Sequence, residues 1–223
     1  MNVRKLLARL NPSTLNLSGA GRGAGDVSSQ DIAAALGFVP GGLGREVLCH
    51  LWWPLGAILK PTELLREIAL IQSREHARLA AALKAATDQL VDLELRYYCS
   101  RIPGPELRGE IHTATRERDS ARERCWSYHP EVYARIGHAV LAEMAGTTLC
   151  PSCHGDGCAH CDGTGAVPIS ARQRAEAIGR DEAAFRKRWA RVYEFTYRRL
   201  RDAEQGAARA LAKALRNDQE RAA

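Results

Sequence analysis

The feature that most constrains this chain is the run Cys150-Pro-Ser-Cys153-His-Gly-Asp-Gly-Cys158-Ala-His-Cys161-Asp-Gly-Thr-Gly165, an eight-residue unit, CxxCxGxG, written twice without a gap. A CxxC pair curls the backbone so that two thiolates face one point. Two pairs supply the four soft ligands of a tetrahedral structural zinc site, Cys150, Cys153, Cys158 and Cys161. The glycines after each pair permit tight turns. Four protein ligands leave no open position for a catalytic water, so one structural Zn2+ is expected, serving folding rather than chemistry. Only residues 154–157 separate the pairs. That short loop keeps other assignments open: His154 or His160 replacing a thiolate, a rubredoxin-like iron site, a redox CxxC, or unligated thiols.

Charge is the second constraint. The net charge is +6 over 223 residues, and it is localised. From Ala166 to Ala223 there are 14 Lys/Arg against 8 Asp/Glu, which leaves residues 1–165 neutral in sum. A localised basic segment is the electrostatic footprint of a nucleic-acid binder, and a solvated helical tail is the plain alternative. The remaining cysteines, Cys49, Cys99 and Cys125, are scattered singly, which fits a reducing cytoplasm better than a disulfide framework. The start is basic (Arg4, Lys5, Arg9) but lacks the apolar stretch of a signal peptide. The run Leu48–Leu59 is interrupted by His50, Pro54 and Gly56 and is too short to span a bilayer. A soluble, intracellular protein is expected.

Apolar periodicity predicts helices throughout. Residues 2–10 read as a short basic amphipathic helix stopped by Pro12, and Ser13–Ser29 as a flexible tether. Ser28 or Ser29 caps a short helix closed by Gly37, and Pro40-Gly41-Gly42 is a turn. An apolar patch follows with Leu48, Leu51, Trp52 and Trp53, expected as core or as an inter-helix contact. Glu63–Tyr98 is the longest periodic segment. Arg101–Pro105 breaks it, and the charged helix Glu106–Trp126 is expected to fold back on it as an antiparallel hairpin. Glu131–Ala145 is a further helix, with Val132, Ile136, Val140 and Leu141 inward.

After the cysteines, Ser170 caps a helix that Gly179 closes, and Asp181 caps the next. Phe185, Trp189, Val192, Thr196 and Leu200 form its apolar stripe. Small Ala175, Gly179 at the turn, then Phe185 and Trp189 as anchors match a helix-turn-helix. An ordinary helical hairpin is the alternative. In the first reading the second helix enters a major groove by its N-terminal end. Glu182, Ala183, Arg186 and Lys187 are then candidate base readers, with Arg186 on a guanine edge and Glu182 accepting from cytosine. Arg172, Arg180, Arg188 and Arg191 are placed for phosphates, and Arg198, Arg199 and Arg201 continue the basic face.

At these residues the chain resembles the bacteriophage lambda-type antitermination protein Q family. The resemblance rests on Asp31-Ile-Ala-Ala-Ala-Leu-Gly37 with Gly44-Arg-Glu-Val-Leu-Cys49, on the paired element Cys150–Gly165, and on Phe185-Arg-Lys-Arg-Trp-Ala-Arg-Val-Tyr193. It implies a mainly α fold: a helical body with a helix-turn-helix carrying the small four-cysteine zinc-binding loop as an insertion. The implied organisation is a basic N-terminal helix and tether (1–29), a helical body (30–128), a helix-turn-helix unit with the zinc element at 150–165 (129–201), and a C-terminal helical tail (202–223). It also implies a function. Such a protein binds double-stranded DNA at a late promoter, engages paused bacterial RNA polymerase holoenzyme with its sigma factor, and makes it read through terminators. The expected setting is the cytoplasm of the bacterial host, with no membrane and no small-molecule substrate. The excursion between the CxxC pairs is much shorter here than in the lambda-type protein, so contacts made by that excursion do not carry over.

Two rivals use the same residues. One is a zinc-stabilised helix-turn-helix repressor. The other is a DnaJ-type zinc co-chaperone, whose repeat is also CxxCxGxG and whose His-Pro-Asp signature is approached by His129-Pro130-Glu131. Against the latter, the acid is Glu and the repeat occurs twice, not four times. An enzyme is not expected, since no histidine has a nucleophile or carboxylate constellation and no phosphate-cradling loop follows a strand. The patch Leu48–Trp53 is expected to serve polymerase docking, with the tether letting the N-terminal helix reach a second site.

Overall fold

The computed structural model describes residues 3–8, 10, 28–100, 102, 104–145, 152–153, 158–159 and 169–222. The fold is mainly helical, with no strand among the described residues. The α-helices among the described residues are α1 (Val3–Ala8), α2 (Ser29–Gly37), α3 (Leu43–Trp52), α4 (Pro61–Cys99), α5 (Pro105–Arg124), α6 (Pro130–Met144), α7 (Ala171–Ala177), α8 (Glu182–Ala184) and α9 (Ala190–Ala222). The tether as far as residue 27 and most of the doubled cysteine unit lie outside the described residues, and Ser28 and Ser29, expected as its end, cap and begin α2. None of the described helices is long and apolar enough to cross a membrane.

Local signals set most boundaries. Ser28 and Asp31 form a reciprocal capping box at α2, with Ser28 Oγ accepting from the Asp31 amide at 3.2 Å and Asp31 Oδ2 accepting from the Ser28 amide at 2.8 Å. Pro61, Pro105 and Pro130 each occupy the first turn of their helix, where the missing N–H has no intrahelical partner to lose. At its 39 residues, α4 is ~58 Å long.

Three buried clusters organise the packing. The central one joins α4 (Leu64, Ile68), α6 (Val132, Tyr133, Ile136, Val140), α7 (Ala175) and the stripe Phe185, Trp189, Val192 and Leu200. A second joins α1, α2, α3 and the far part of α9, through Leu7, Ile32, Leu36, Leu48, Leu211 and Leu215. The third, between α4 and α5, has only Leu90, Leu93 and Ala114 buried, flanked by Leu107 and Ile111. The expected hairpin is thus a pair of helices with a thin seam of its own.

Two expectations change here. The patch around Leu48–Trp53 is not a docking surface. Leu48 is fully buried, and Leu51, Trp52 and Trp53 pack against the two larger clusters. The cause is a close helix crossing: a Cβ on Gly44 would collide with the Ala203 carbonyl oxygen, so only glycine lets α3 approach α9 this far. Nor is the N-terminal helix held out for a distant site. Val3, Leu6 and Leu7 are buried in the second cluster, and Arg4 donates to both carboxylate oxygens of Glu204, at 2.8 and 2.7 Å. For the same reason the stretch after residue 202, expected as a tail, supplies Ala207, Leu211 and Leu215 to that core.

Candidate nucleic-acid interface

The turn between α7 and α8 is built from the residues the sequence singles out. Ser170 Oγ accepts from the Gln173 amide at 3.2 Å, and Gln173 Oε1 accepts in return from the Ser170 amide at 2.9 Å. At the other end, the Arg180 amide donates to Ala175 O (2.9 Å) and the Gly179 amide to Glu176 O (3.0 Å), the paired closure of a Schellman turn. That closure needs a left-handed residue, and Gly179 supplies it with φ +67°. Ala175 is buried against α6, and Asp181 Oδ1 accepts from the Ala184 amide at 2.8 Å to start the next helix.

That helix is not uniform. Glu182–Ala184 is α-helical, Phe185–Trp189 forms one π-helical turn, and α9 continues from Ala190. A π turn carries an extra residue, so Arg186, Lys187 and Arg188 do not follow the 3.6-residue register of the side chains beyond them. Phe185, Trp189, Val192, Thr196 and Leu200 nevertheless all face inward. The periodicity locates the stripe but does not disclose the widened turn.

Of the candidate base readers, Ala183, Arg186 and Lys187 are exposed and Glu182 is half-buried. Arg186 Nη2 and Nε donate to Glu182 Oε1, at 2.5 and 2.9 Å. An exposed i,i+4 pair of this kind contributes about 0.3–0.5 kcal/mol, against about 1–3 kcal/mol for a bidentate contact to a base edge. The pair therefore orders Arg186 without tying it up. Of the candidate phosphate contacts, Arg172, Arg180, Arg188 and Arg191 are all exposed. Arg172 donates to Glu176 at 2.9 Å, which favours its charged form, with a smaller contribution from Glu182 across the turn.

Two contributors are missed by reading the sequence. Arg135 of α6 lies over the turn, its Nη1 3.2 Å from where a Cβ on Gly179 would be. It adds a cation beside Arg180. The larger omission is Arg174, counted only as part of the basic segment. It donates from Nε and Nη2 to Glu143 at 3.1 and 2.7 Å, pairs with Glu194, and lies over the Tyr193 and Tyr197 rings. The Tyr193 hydroxyl donates to Glu143 Oε2 at 2.8 Å. Burial alone would lower the Arg174 pKa, but the hydrogen bond and charge of Glu143, then Glu194, outweigh it and hold the guanidinium charged. Burial, then the Glu143 carboxylate, push the Tyr193 phenol strongly up. A signal for this was present. Glu143 stands in the last turn of α6, where the helix dipole disfavours an acid unless a cation answers it.

Arg174 and Glu143 flank the doubled cysteine unit in sequence, so their pair fixes the end of α6 beside α7 and α9. Of the four expected metal ligands, Cys153 and Cys158 are described, both partly buried, while Cys150 and Cys161 lie outside the described residues. Among the described residues no three Cys, His, Asp or Glu side chains gather to hold a metal. Four thiols in two CxxC pairs are a donor set that suits zinc. Comparison with protein families, with curated proteins and with solved structures finds no match.

Proposed function

We propose that the protein is a phage late-gene transcription antiterminator of the lambda-type Q kind, acting in the cytoplasm of the bacterial host. It binds double-stranded DNA at a late promoter, engages the paused RNA polymerase holoenzyme with its sigma factor, and carries it through terminators. The observation that supports this best is the α7–α8 turn. A glycine-closed turn and an Asp-capped helix start leave Arg180, Arg186, Lys187, Arg188 and Arg191 exposed beside a buried Ala175, as a helix-turn-helix reader requires. Four cysteines hold one structural zinc next to this unit, and Arg174 transmits its position to α9. No catalysis is needed.

The body exceeds what a DNA reader needs, and its exposed apolar side chains mark where polymerase docks. The group proposed for docking is not Leu48–Trp53 but the far end of the α4–α5 hairpin, where Val91, Leu95, Tyr98 and Ile102 are 48, 58, 81 and 86% exposed; Phe38, Leu55 and Ile58 are exposed outside it. Val91, Leu95 and Tyr98, four and three residues apart on α4, share one face, and Ile102 follows the end of the helix. The deciding experiment is in vitro transcription on a template with the cognate promoter, a pause and a downstream terminator. Readthrough should rise only when the binding site is present. A repressor would lower initiation and leave the termination fraction alone, and unchanged readthrough at saturating protein defeats the reading.

A further inference from the structure

Beyond the turn, the solvent side of α9 carries an open recess of about 530 Å3 whose lining includes Arg191, Phe195, Arg198, Arg199 and Asp202. The duplex reading takes Arg191 from this lining as a phosphate contact and gives no role to Phe195. Phe195 begins nine residues after Arg186, ~14 Å along a helix of ordinary rise. Its ring is half-buried and backed by Trp126, with centroids 5.6 Å apart. Trp126 is itself fixed, because its Nε1 donates to the hydroxyl of the buried Tyr133 at 2.7 Å. Phe195 is thus a rigid aromatic platform rather than a loose surface side chain.

The charges around the platform are sorted. Arg191, Arg198 and Arg199 are exposed. Glu194, also on the recess wall, is held by Arg174, a cation it shares with Glu143. Asp202 is the remaining carboxylate, at the far end. An aromatic face flanked by arginines over about two helical turns is the arrangement that takes an unpaired base between phosphates. A duplex offers no free base face, and a glutamate side chain or a lipid headgroup has no ring to lay on Phe195.

We infer that this recess binds single-stranded nucleic acid, one base stacking on Phe195 and the neighbouring phosphates resting on Arg191, Arg198 and Arg199. Arg191 is shared with the duplex reading, but stacking on Phe195 is not, so the Phe195 variants let the two succeed or fail separately.

The test uses the full-length protein and fluorescence anisotropy with labelled 12-nucleotide oligo-dT, 12-nucleotide oligo-U and a 20-base-pair random duplex. Phe195→Leu keeps an apolar side chain against Trp126 but cannot stack, and should weaken the single strands about tenfold while leaving the duplex within about twofold. Phe195→Trp should restore single-strand binding. The surface double variant Arg198→Ala/Arg199→Ala, which disturbs no buried contact, should flatten the salt dependence for single strands by about 1.4 in log–log slope. Binding of one strand type alone assigns the site to DNA or to RNA. The inference is overturned by no single-strand binding to the wild type, by equal losses on strand and duplex for Phe195→Leu, or by equal binding of polyglutamate or of vesicles of anionic lipid.

Discussion

The two halves of α4 follow the same sequence rule and end in different surroundings. Near its start, Leu64 and Ile68 pack against α6 so closely that a Cβ on Gly137 would sit 3.1 Å from the Ile68 side chain. One turn on, the fully buried Gln72 donates from Nε2 to Thr196 Oγ1 at 2.9 Å, and Thr196 donates to the Val192 carbonyl at 2.7 Å. Toward its end, Leu90 and Leu93 meet only α5, and their cluster has a single further buried member, Ala114. Apolar periodicity marks both halves as helix. It does not say that one half is locked by shape and polar contacts while the other is an arm with a thin seam. Stability belongs to the first half, and surface available to a partner belongs to the second.

The largest expected effect separates the halves through the metal. Zinc binding by such an element is folding free energy, on the order of 10 kcal/mol in small zinc peptides. Chelation, or Cys153→Ser, should therefore loosen α7 and its contacts with α6 and α9 while the α4–α5 arm keeps its amide protection. Hydrogen exchange with and without chelator reads this directly. Metal analysis finding neither zinc nor iron per chain, or DNA binding unaltered by Cys153→Ser, would sink the metal assignment.

Next in size is Glu143. Its side chain is 4% exposed and serves both Arg174 and the Tyr193 hydroxyl. Glu143→Ala leaves a mostly buried guanidinium with Glu194 as its remaining acidic partner, so the loss should lie at or below the low end of the ~3–5 kcal/mol typical of a broken buried pair. Denaturant unfolding measures the loss. Glu143→Ala combined with Arg174→Met should recover much of it, because the stranded charge is then gone. A loss under about 1 kcal/mol for the single change would show that the clamp does not hold the two helices.

Which of these features could be read beforehand depends on their range. Helix starts were legible because caps act over three or four residues: Ser28, Ser170 and Asp181 cap where their spacing places them. The apolar stripe from Phe185 to Leu200 was legible because periodicity is also local. The destination of each face was not. Arg4 and Glu204 are 200 positions apart, and Glu143 and Arg174 are separated by the doubled cysteine unit. Nothing in a window of a few turns connects them. The apolar patch at Leu48–Trp53 is compatible in sequence with either a core contact or a docking surface, and only the approach of α9 at Gly44 makes it core. The π turn at Phe185–Trp189 left no residue signature that we can identify.

A smaller effect comes from α3 at low pH, through His50. Burial, and then the nearby charge of His138, lower the His50 pKa from its usual value. The unfolded chain therefore binds this proton more readily than the folded one. His50 contributes its full share of stability above about pH 6.5, and that share is lost as pH falls through the depressed folded value. Midpoints of urea unfolding between pH 7.5 and 5.5 should drop less in His50→Gln than in the wild type. Identical pH dependence would mean that His50 is solvated.

The smallest effect on stability is expected where the proposed role is greatest. Leu95 and Tyr98 are mostly exposed on the arm, so Leu95→Ser and Tyr98→Ser remove little buried surface. Each should change unfolding free energy by less than about 0.5 kcal/mol, as surface substitutions usually do. If these side chains meet polymerase, the same changes should weaken its capture several-fold and lower readthrough, with promoter DNA binding untouched. Ile68→Ala in the locked half should behave in the opposite way, costing about 2–5 kcal/mol through an unfilled cavity. Its effect on readthrough should then follow the folded fraction and disappear at a temperature where the variant is folded. Leu95→Ser and Tyr98→Ser leaving both capture and readthrough unchanged would mean that the arm's exposed face is not the docking surface, whatever the turn at Gly179 does with DNA.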